Sequence, residues 1–211
     1  MEELLRAPRL EGDYGEIQAA LDSWLGQSAQ LKYPLNGDLL SPFLMSDFDG
    51  DNVQDAAVLY TVADTTNICL AILQKDETGA WQVQDAIEGL TDTVDTVQFA
   101  RLQEGGANQI LVGYTAQQED NYLAVYDYQD GEIDSIFAEP YDQYIIEDIT
   151  GTGYEDLVLL GTDEQGNAEI KLLSSDRKGG FRQAMVSGLS PDKFTGCASL
   201  AAGMGAYGGQ Y

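Results

Sequence analysis

SDFDGDNVQDAAVLY, Ser46 to Tyr60, returns further along the chain as EDITGTGYEDLVLLG, Glu147 to Gly161. Asp47 falls on Asp148, Gly50 on Gly151 and Asp55 on Asp156, each at an offset of 101 residues. A second landmark keeps nearly the same step: LQKDETGAW (Leu73–Trp81) matches LSSDRKGGF (Leu173–Phe181) at an offset of 100. Two landmarks at one spacing mark an internal repeat, and a repeat constrains the fold before any local pattern does. Between the copies, FARLQEGGANQILVGY (Phe99–Tyr114) and YLAVYDYQDGEI (Tyr122–Ile133) supply a weaker third one. The spacing therefore halves into units of roughly fifty residues, within the range of propeller blades.

Each unit reads as four short strands separated by turn residues. The first has Pro42–Phe48, Asp55–Ala63, Asn67–Lys75 and Ala80–Ile87. The second has Val94–Leu102, Asn108–Ala116, Tyr122–Tyr128 and Glu132–Ala138. The third has Tyr144–Ile149, Glu155–Thr162, Ala168–Ser174 and Phe181–Val186. The second strand of each unit (AAVLY, ILVGY, LVLLG) is almost continuously apolar, which predicts a strand covered on both faces. The expected fold is all-β: a β-propeller-like array of four-stranded antiparallel blades at about 41–90, 91–140 and 141–190.

Two segments lie outside the three units. In YGEIQAALDSWL (Tyr14–Leu25), Ile17, Leu21, Trp24 and Leu25 share one helical face, with Asp13 as N-cap and Gly26 as stop. This helix and an extended LLRAPRLEG before it make up an N-terminal segment over residues 1–40, each proline disfavouring helix at the residue before it. FTGCASLAAGMGAYGGQY (Phe194–Tyr211) reads as the first strand and Gly-rich loop of a fourth, partial blade over 191–211. Three blades and a fraction do not close a ring of four to eight. The expectation is thus a fragment of something longer, or self-association through an open blade edge.

The composition narrows the partners. With 36 acidic and 10 basic residues the 211-residue chain carries a net charge of -26, the wrong sign for nucleic acid or an anionic membrane surface. Such a balance favours cations as ligands. No apolar run is long enough to span a membrane. Met1 leads directly into Glu2 and Glu3 with no export signal, so export is expected to have used a segment removed ahead of it. Of the two cysteines, Cys69 lies in the strand-like run NICLAILQ, where a buried free thiol is the commoner outcome than a bond to Cys197.

The acidic stretch itself poses a physical problem. Asp47, Asp49, Asp51 and Asp55 place four like charges in nine residues, with no basic neighbour to relieve them. Counting Asp47 as the first position, side-chain oxygens stand at positions one, three, five and nine, and Val53 offers its backbone carbonyl at seven. Ca2+ takes six to eight oxygens in this interleaved manner. An EF-hand does not fit, because Asn52 and Val58 replace its glycine and glutamate and strands flank the loop. Asn52 still suits a left-handed turn. The alternative is an Asp/Gly/Asn turn held only by its own hydrogen bonds.

DFDGDNVQDAAVLY resembles the calcium loop of FG-GAP and VCBS-type repeats, found in integrin-α-like propellers and many bacterial surface proteins. The resemblance runs over Pro42–Tyr211 and implies a loop joining the first two strands of a blade. LLRAPRL followed by LKYP is similar to the mature start of surface lipoproteins from Gram-positive anaerobic bacteria, without the lipid-bearing cysteine. It implies a lipid anchor upstream and a cell-surface location. The other copies depart from the loop pattern. Thr150 and Thr152 replace two carboxylates in the third, where hydroxyls are expected to hydrogen-bond the turn. Arg101, Gln103, Gly105 and Gln109 stand in the second, which predicts no metal there.

Catalytic signatures are sparse. The chain has no histidine, which excludes His triads, His zinc sites and His bases. Neither a GxxxxGK phosphate loop nor a GxSxG elbow occurs. Ser190-Pro191-Asp192-Lys193 matches SxxK by letters alone. KDETGAW is similar to a sialidase Asp-box, but Gln74 takes the place of its Ser/Thr, and a hairpin turn tied by Asp76 and Gly79 is the simpler reading. Tyr122, Tyr126 and Tyr128 share one strand face, and Tyr141 and Tyr144 lie nearby. Exposed, they would suit a sugar or protein ligand; packing between neighbouring blades is favoured. The sequence reading is therefore a noncatalytic calcium-binding domain of an exported bacterial protein that binds protein or polysaccharide. The alternatives are a glycan-acting enzyme with catalytic carboxylates partly elsewhere, or a structural scaffold.

Overall fold

The computed structural model describes residues 12–189, apart from 64, 105, 116–120, 164 and 177–180. It contains one helix, α1 (Asp13–Leu25), and thirteen strands. These are β1 (Gln30–Leu31), β2 (Phe43–Ser46), β3 (Asp55–Thr61), β4 (Cys69–Lys75), β5 (Trp81–Glu88), β6 (Val94–Ala100) and β7 (Gln109–Tyr114). They continue with β8 (Tyr122–Gln129), β9 (Glu132–Pro140), β10 (Gln143–Glu147), β11 (Asp156–Thr162), β12 (Ala168–Ser175) and β13 (Phe181–Leu189). All twelve strands expected from the repeat form, in three antiparallel sheets ordered β2-β3-β4-β5, β6-β7-β8-β9 and β10-β11-β12-β13. The unforeseen strand is β1, which pairs with the far end of β3 through Gln30–Thr61 and Leu31–Tyr60. Two residues carry no readable period.

The chain divides into two compact units. The first holds α1 and the first two sheets, with a core on each face of the first sheet. Alternation assigns the side chains: Ala57, Leu59, Leu70 and Ile72 point one way and meet Val94, Val97, Ile110, Val112, Tyr114 and Tyr126 of the second sheet. Ala56, Val58, Tyr60, Cys69, Ala71 and Leu73 point the other way and meet Ile17 and Leu21 of α1. That double cover is why β3 reads as an unbroken apolar run, and every one of its residues is buried. β7 is buried throughout as well.

α1 differs from its expectation at both edges of its face. Ile17 and Leu21 are fully buried, each worth about 1.5–3 kcal/mol against exposure. Trp24 is 53% exposed, because the contact with the sheet is a narrow stripe and Trp24 lies beyond it. Asp13 is not the cap. Gly12 precedes the helix without a side-chain cap, and Asp13 sits in the first turn with Lys75 Nζ at 3.4 Å. Gly26 ends the helix in the left-handed region, as expected.

The second unit comprises residues 100–105 and those from 140 onward. Its sheet repeats the register of the first: Ile145–Val158–Leu172 and Leu160–Ile170 reproduce Leu44–Ala57–Ile72 and Leu59–Leu70. Here β11 departs from the expected double cover. Leu157 and Leu159 are buried, but Val158 and Leu160 are only half-buried. The extended LLRAPRLEG and the fourth-blade reading of Phe194–Tyr211 lie outside the described residues.

Candidate metal centre

The acidic loop connects β2 to β3 and is shaped by its own carboxylates. Asp47 accepts from the N–H groups of Gly50 (2.6 Å) and Asn52 (2.9 Å). Asp55, buried at the start of β3, accepts from Phe48 N–H at 2.8 Å. These bonds accompany two residues in the left-handed region, Gly50 (φ 84°) and Asn52 (φ 66°), a conformation that Gly and, less readily, Asn or Asp adopt. The third sheet's loop is left-handed at the corresponding Gly151 (φ 67°) and Gly153 (φ 87°). The repeat thus extends from sequence to backbone.

Of the expected ligands, the fold brings three together. Carboxylate oxygens of Asp47, Asp49 and Asp55 lie within 4.8 Å of one another. Asp51 is not among them; its Oδ1 accepts from Val53 N–H at 2.6 Å on the exposed rim, and Val53 is itself 54% exposed. The ion pairs described, Lys75–Asp13 and Lys171–Glu169, lie elsewhere. What links the acids is Gln74 of β4, which sequence reasoning missed. Its Nε2 donates to Asp49 Oδ2 at 2.7 Å and to Asp55 Oδ1 at 3.1 Å. Burial pushes the Asp55 carboxyl up, the Phe48 N–H and Gln74 pull it back, and Asp49 and Asp51 push it further up. A neutral amide dipole therefore bridges carboxylates that carry more charge than it can compensate.

The other two loops resolve the same charge problem differently. In the third, Thr150 donates its hydroxyl to Asp156 Oδ1 at 3.0 Å and its N–H to Oδ2 at 2.7 Å. Asp148 accepts from the N–H groups of Thr152 and Gly153, both at 2.9 Å. The threonines hydrogen-bond the turn, as expected, and one acid there is replaced by a donor. In the second sheet the acid and amide exchange strands: Gln109 of β7 donates to Asp127 of β8 at 2.9 Å, in the places of Asp55 and Gln74. Arg101 is tied through its backbone, donating to Glu155 Oε2 at 2.7 Å and accepting from Glu155 N–H at 2.9 Å. Ser174, at the repeat position of Gln74, is too short to reach the loop, and its buried hydroxyl has no partner among the described residues.

The donor set at Asp47, Asp49 and Asp55 fits a hard divalent cation: oxygen-only, multiply anionic, and with no salt bridge to a base among the described residues. The remaining sequence signals are structural. Asp76 closes the β4–β5 hairpin; the Thr78 hydroxyl, then the N–H groups of Ala80 and Thr78, hold its carboxyl down to about 2. Asp163 and Gly166 build the same turn between β11 and β12, a likeness (DETG, DEQG) readable from sequence but not noticed there. Tyr126 and Tyr128 are buried in the core between the first two sheets, and Tyr114 and Tyr126 share a hydrogen bond at 2.8 Å. Tyr141 and Tyr144 pack edge to face at 5.2 Å. Cys69 is a buried free thiol. No helix among the described residues is long and apolar enough to cross a membrane. No family model matches the chain, and no curated protein matches it in sequence.

Proposed function

We propose that this chain is a noncatalytic, calcium-stabilised binding domain built as a propeller-like array of β-sheets, carried by an exported protein of the bacterial surface. The observation that carries the reading is the contrast between equivalent loops. Asp47, Asp49 and Asp55 converge with only the Gln74 amide between them, whereas Thr150 supplies a donor inside the third loop. Ca2+ would be held by Asp47, Asp49 and Asp55, with Asp51 and the Val53 carbonyl completing the set from the exposed side. When bound it supplies positive charge that fixes the β2–β3 loop. The chain's own residues do the rest: Gly50 and Asn52 shape the turn, and Gln74 anchors it to β4.

The array reading rests on three sheets of one register and on the face-to-face packing of the first two. α1 occupies the outer face of the first sheet, so ring closure through that face would require the helix to leave. For a ligand, an open cleft of about 490 Å³ bordered by Ser28, Gln30, Lys32, Thr61, Thr65 and Asp92 presents hydroxyls and amides, chemistry that suits a saccharide. Isothermal calorimetry with millimolar CaCl2 and a chelator control tests the metal. A glycan array on the calcium-loaded protein tests the binding role. No heat and no thermal shift would leave the loop a hydrogen-bonded turn.

A further inference from the structure

The cleft beside β1 holds polar side chains that the fold leaves without partners. β1 runs along the far end of β3 through Gln30–Thr61 and Leu31–Tyr60, and the Lys32 N–H continues the ladder to the Leu59 carbonyl at 2.9 Å. Strand alternation then puts Gln30, Lys32 and Thr61 on the face of the first sheet that Leu59 shares, toward the second sheet. Thr65 and Thr66 of the β3–β4 connection and Asp92 of the β5–β6 connection border the other sides. Thr65 is tied down: its hydroxyl donates to the Val62 carbonyl at 3.2 Å and accepts from the Val62 N–H at 3.1 Å. All of these residues belong to the first compact unit.

Thr61 is 7% exposed, yet its hydroxyl has no hydrogen-bond partner among the described residues. A hydroxyl enclosed to that degree ordinarily has one. The ammonium of Lys32 is equally alone. In a chain of 36 acidic residues, Lys75 pairs with Asp13 and Lys171 with Glu169, and Arg101 and Arg182 are exposed. Lys32 is half-buried and makes no ion pair among the described residues. Asp92, on the cleft's border, is exposed and accepts from the Thr93 hydroxyl at 3.0 Å. A half-buried charge without a counter-ion is costly. An unpaired ammonium beside an unpaired hydroxyl and amide therefore suits a ligand that is both anionic and rich in hydroxyls.

We propose that this cleft binds a uronic acid unit of an acidic polysaccharide, with Lys32 Nζ on its carboxylate and Thr61 and Gln30 on its ring hydroxyls. One compact ammonium matches one carboxylate. A phosphate is better served by several donors or a guanidinium fork, and its second charge would meet more repulsion from a chain of net charge -26. Asp92 at the border accepts from a further ring hydroxyl. The inference rests on the saccharide reading of the cleft and not on the metal; it is tested in chelator so that the metal reading stands or falls separately.

The test is isothermal calorimetry on the full chain with methyl glucuronide and methyl glucoside, which differ only in a carboxylate against a hydroxymethyl group. The glucuronide is expected to bind with a dissociation constant on the order of 10⁻³ M, the scale for a ligand of its size. The glucoside should bind about tenfold more weakly or worse, having no charge-assisted bond to Lys32. Lys32→Met keeps the stem and removes the charge; it should abolish the difference between the sugars, and Lys32→Arg should keep it. Thr61→Val should weaken both sugars alike. The comparison of the two sugars on the native chain stands even where a variant fails to fold. Equal affinities on the native chain overturn the proposal and leave the saccharide reading of the cleft intact, whereas binding of neither sugar removes both. A preference for the glucuronide that survives Lys32→Met overturns it as well. So does acetate or a glutamate-rich peptide binding as tightly as the glucuronide, which assigns the cleft to carboxylates without the sugar.

Discussion

The Tyr128 hydroxyl donates to Gln74 Oε1 at 3.2 Å, while Nε2 of the same glutamine donates to Asp49 and Asp55. One amide thus couples the second sheet's β8 to the acidic loop of the first. The loop's charge is felt across the intersheet core: burial, then Asp55, Asp49 and Asp85, push the Tyr128 phenol up to about 12.

That coupling sets an alkaline limit. The Tyr128 phenol ionises near 10 in the unfolded chain and at about 12 in the folded one, so its contribution to stability is full below pH 10. It is lost as pH rises toward 12. Urea unfolding between pH 9 and 11.5 should show stability falling, and Tyr128→Phe should flatten part of that fall. An unchanged slope in the variant would place the alkaline sensitivity in other tyrosines.

Calcium should raise the melting temperature with a dissociation constant on the order of 10⁻⁴ to 10⁻³ M, as in extracellular modules. At a hundredfold excess over that constant the gain is about 2.7 kcal/mol. Asp49→Ala should abolish the rise, Asp51→Ala should reduce it, and Asp148→Ala should leave most of it. Asp55 carries a raised pKa, so acidification protonates it early and should erase the calcium effect before the fold itself is lost. Differential scanning fluorimetry across pH 4–7, with and without chelator, checks both statements.

Gly89 follows β5 at a point where no side chain fits. A Cβ there would lie 2.7 Å from the Ile68 carbonyl oxygen and press on the Tyr114 ring. Gly89→Ala should cost about 1–3 kcal/mol through overpacking. It should also disturb the Tyr114–Tyr126 hydrogen bond, visible as a change in near-ultraviolet circular dichroism. Wild-type stability in chemical denaturation would show that the site relaxes freely.

Leu21→Ala should cost about 2–5 kcal/mol, because Leu21 is fully buried between α1 and the first sheet. Trp24→Ala, at an exposed position on the same helix, should change stability by less than about 0.5 kcal/mol. Equal effects from the two would contradict the narrow stripe of contact seen on α1.

The strands were legible because Asp/Gly turns punctuate them and a repeat fixes their order; Asp76–Gly79 and Asp130–Gly131 mark hairpins by letters alone. Continuous apolar runs reported burial but not what does the burying, so AAVLY and LVLLG looked alike while only β3 is covered on both faces. The loop acids were legible as a cluster, since Asp47, Asp49 and Asp55 are close in sequence. Gln74 was not, because its contact with Asp49 spans 25 residues and depends on the β3–β4 register. The exchange of acid and amide at Gln109–Asp127 was hidden for the same reason. Asp51 and Trp24 show the opposite error: correct spacing, but a side chain at the margin of the contact it was assigned to.

The placement of α1 also bears on how the chain folds as it is made. Helix and first sheet are contiguous in sequence, and together they bury a core that draws on nothing beyond Ala86 of β5. A nascent chain can therefore complete this layer while the second sheet is still inside the ribosome. The inner face of the first sheet then stands ready as a template, and β6 is the first strand delivered to it. Synthesis in this order leaves a single apolar face waiting at that stage, instead of two competing ones, which limits mispairing among sheets of nearly identical register.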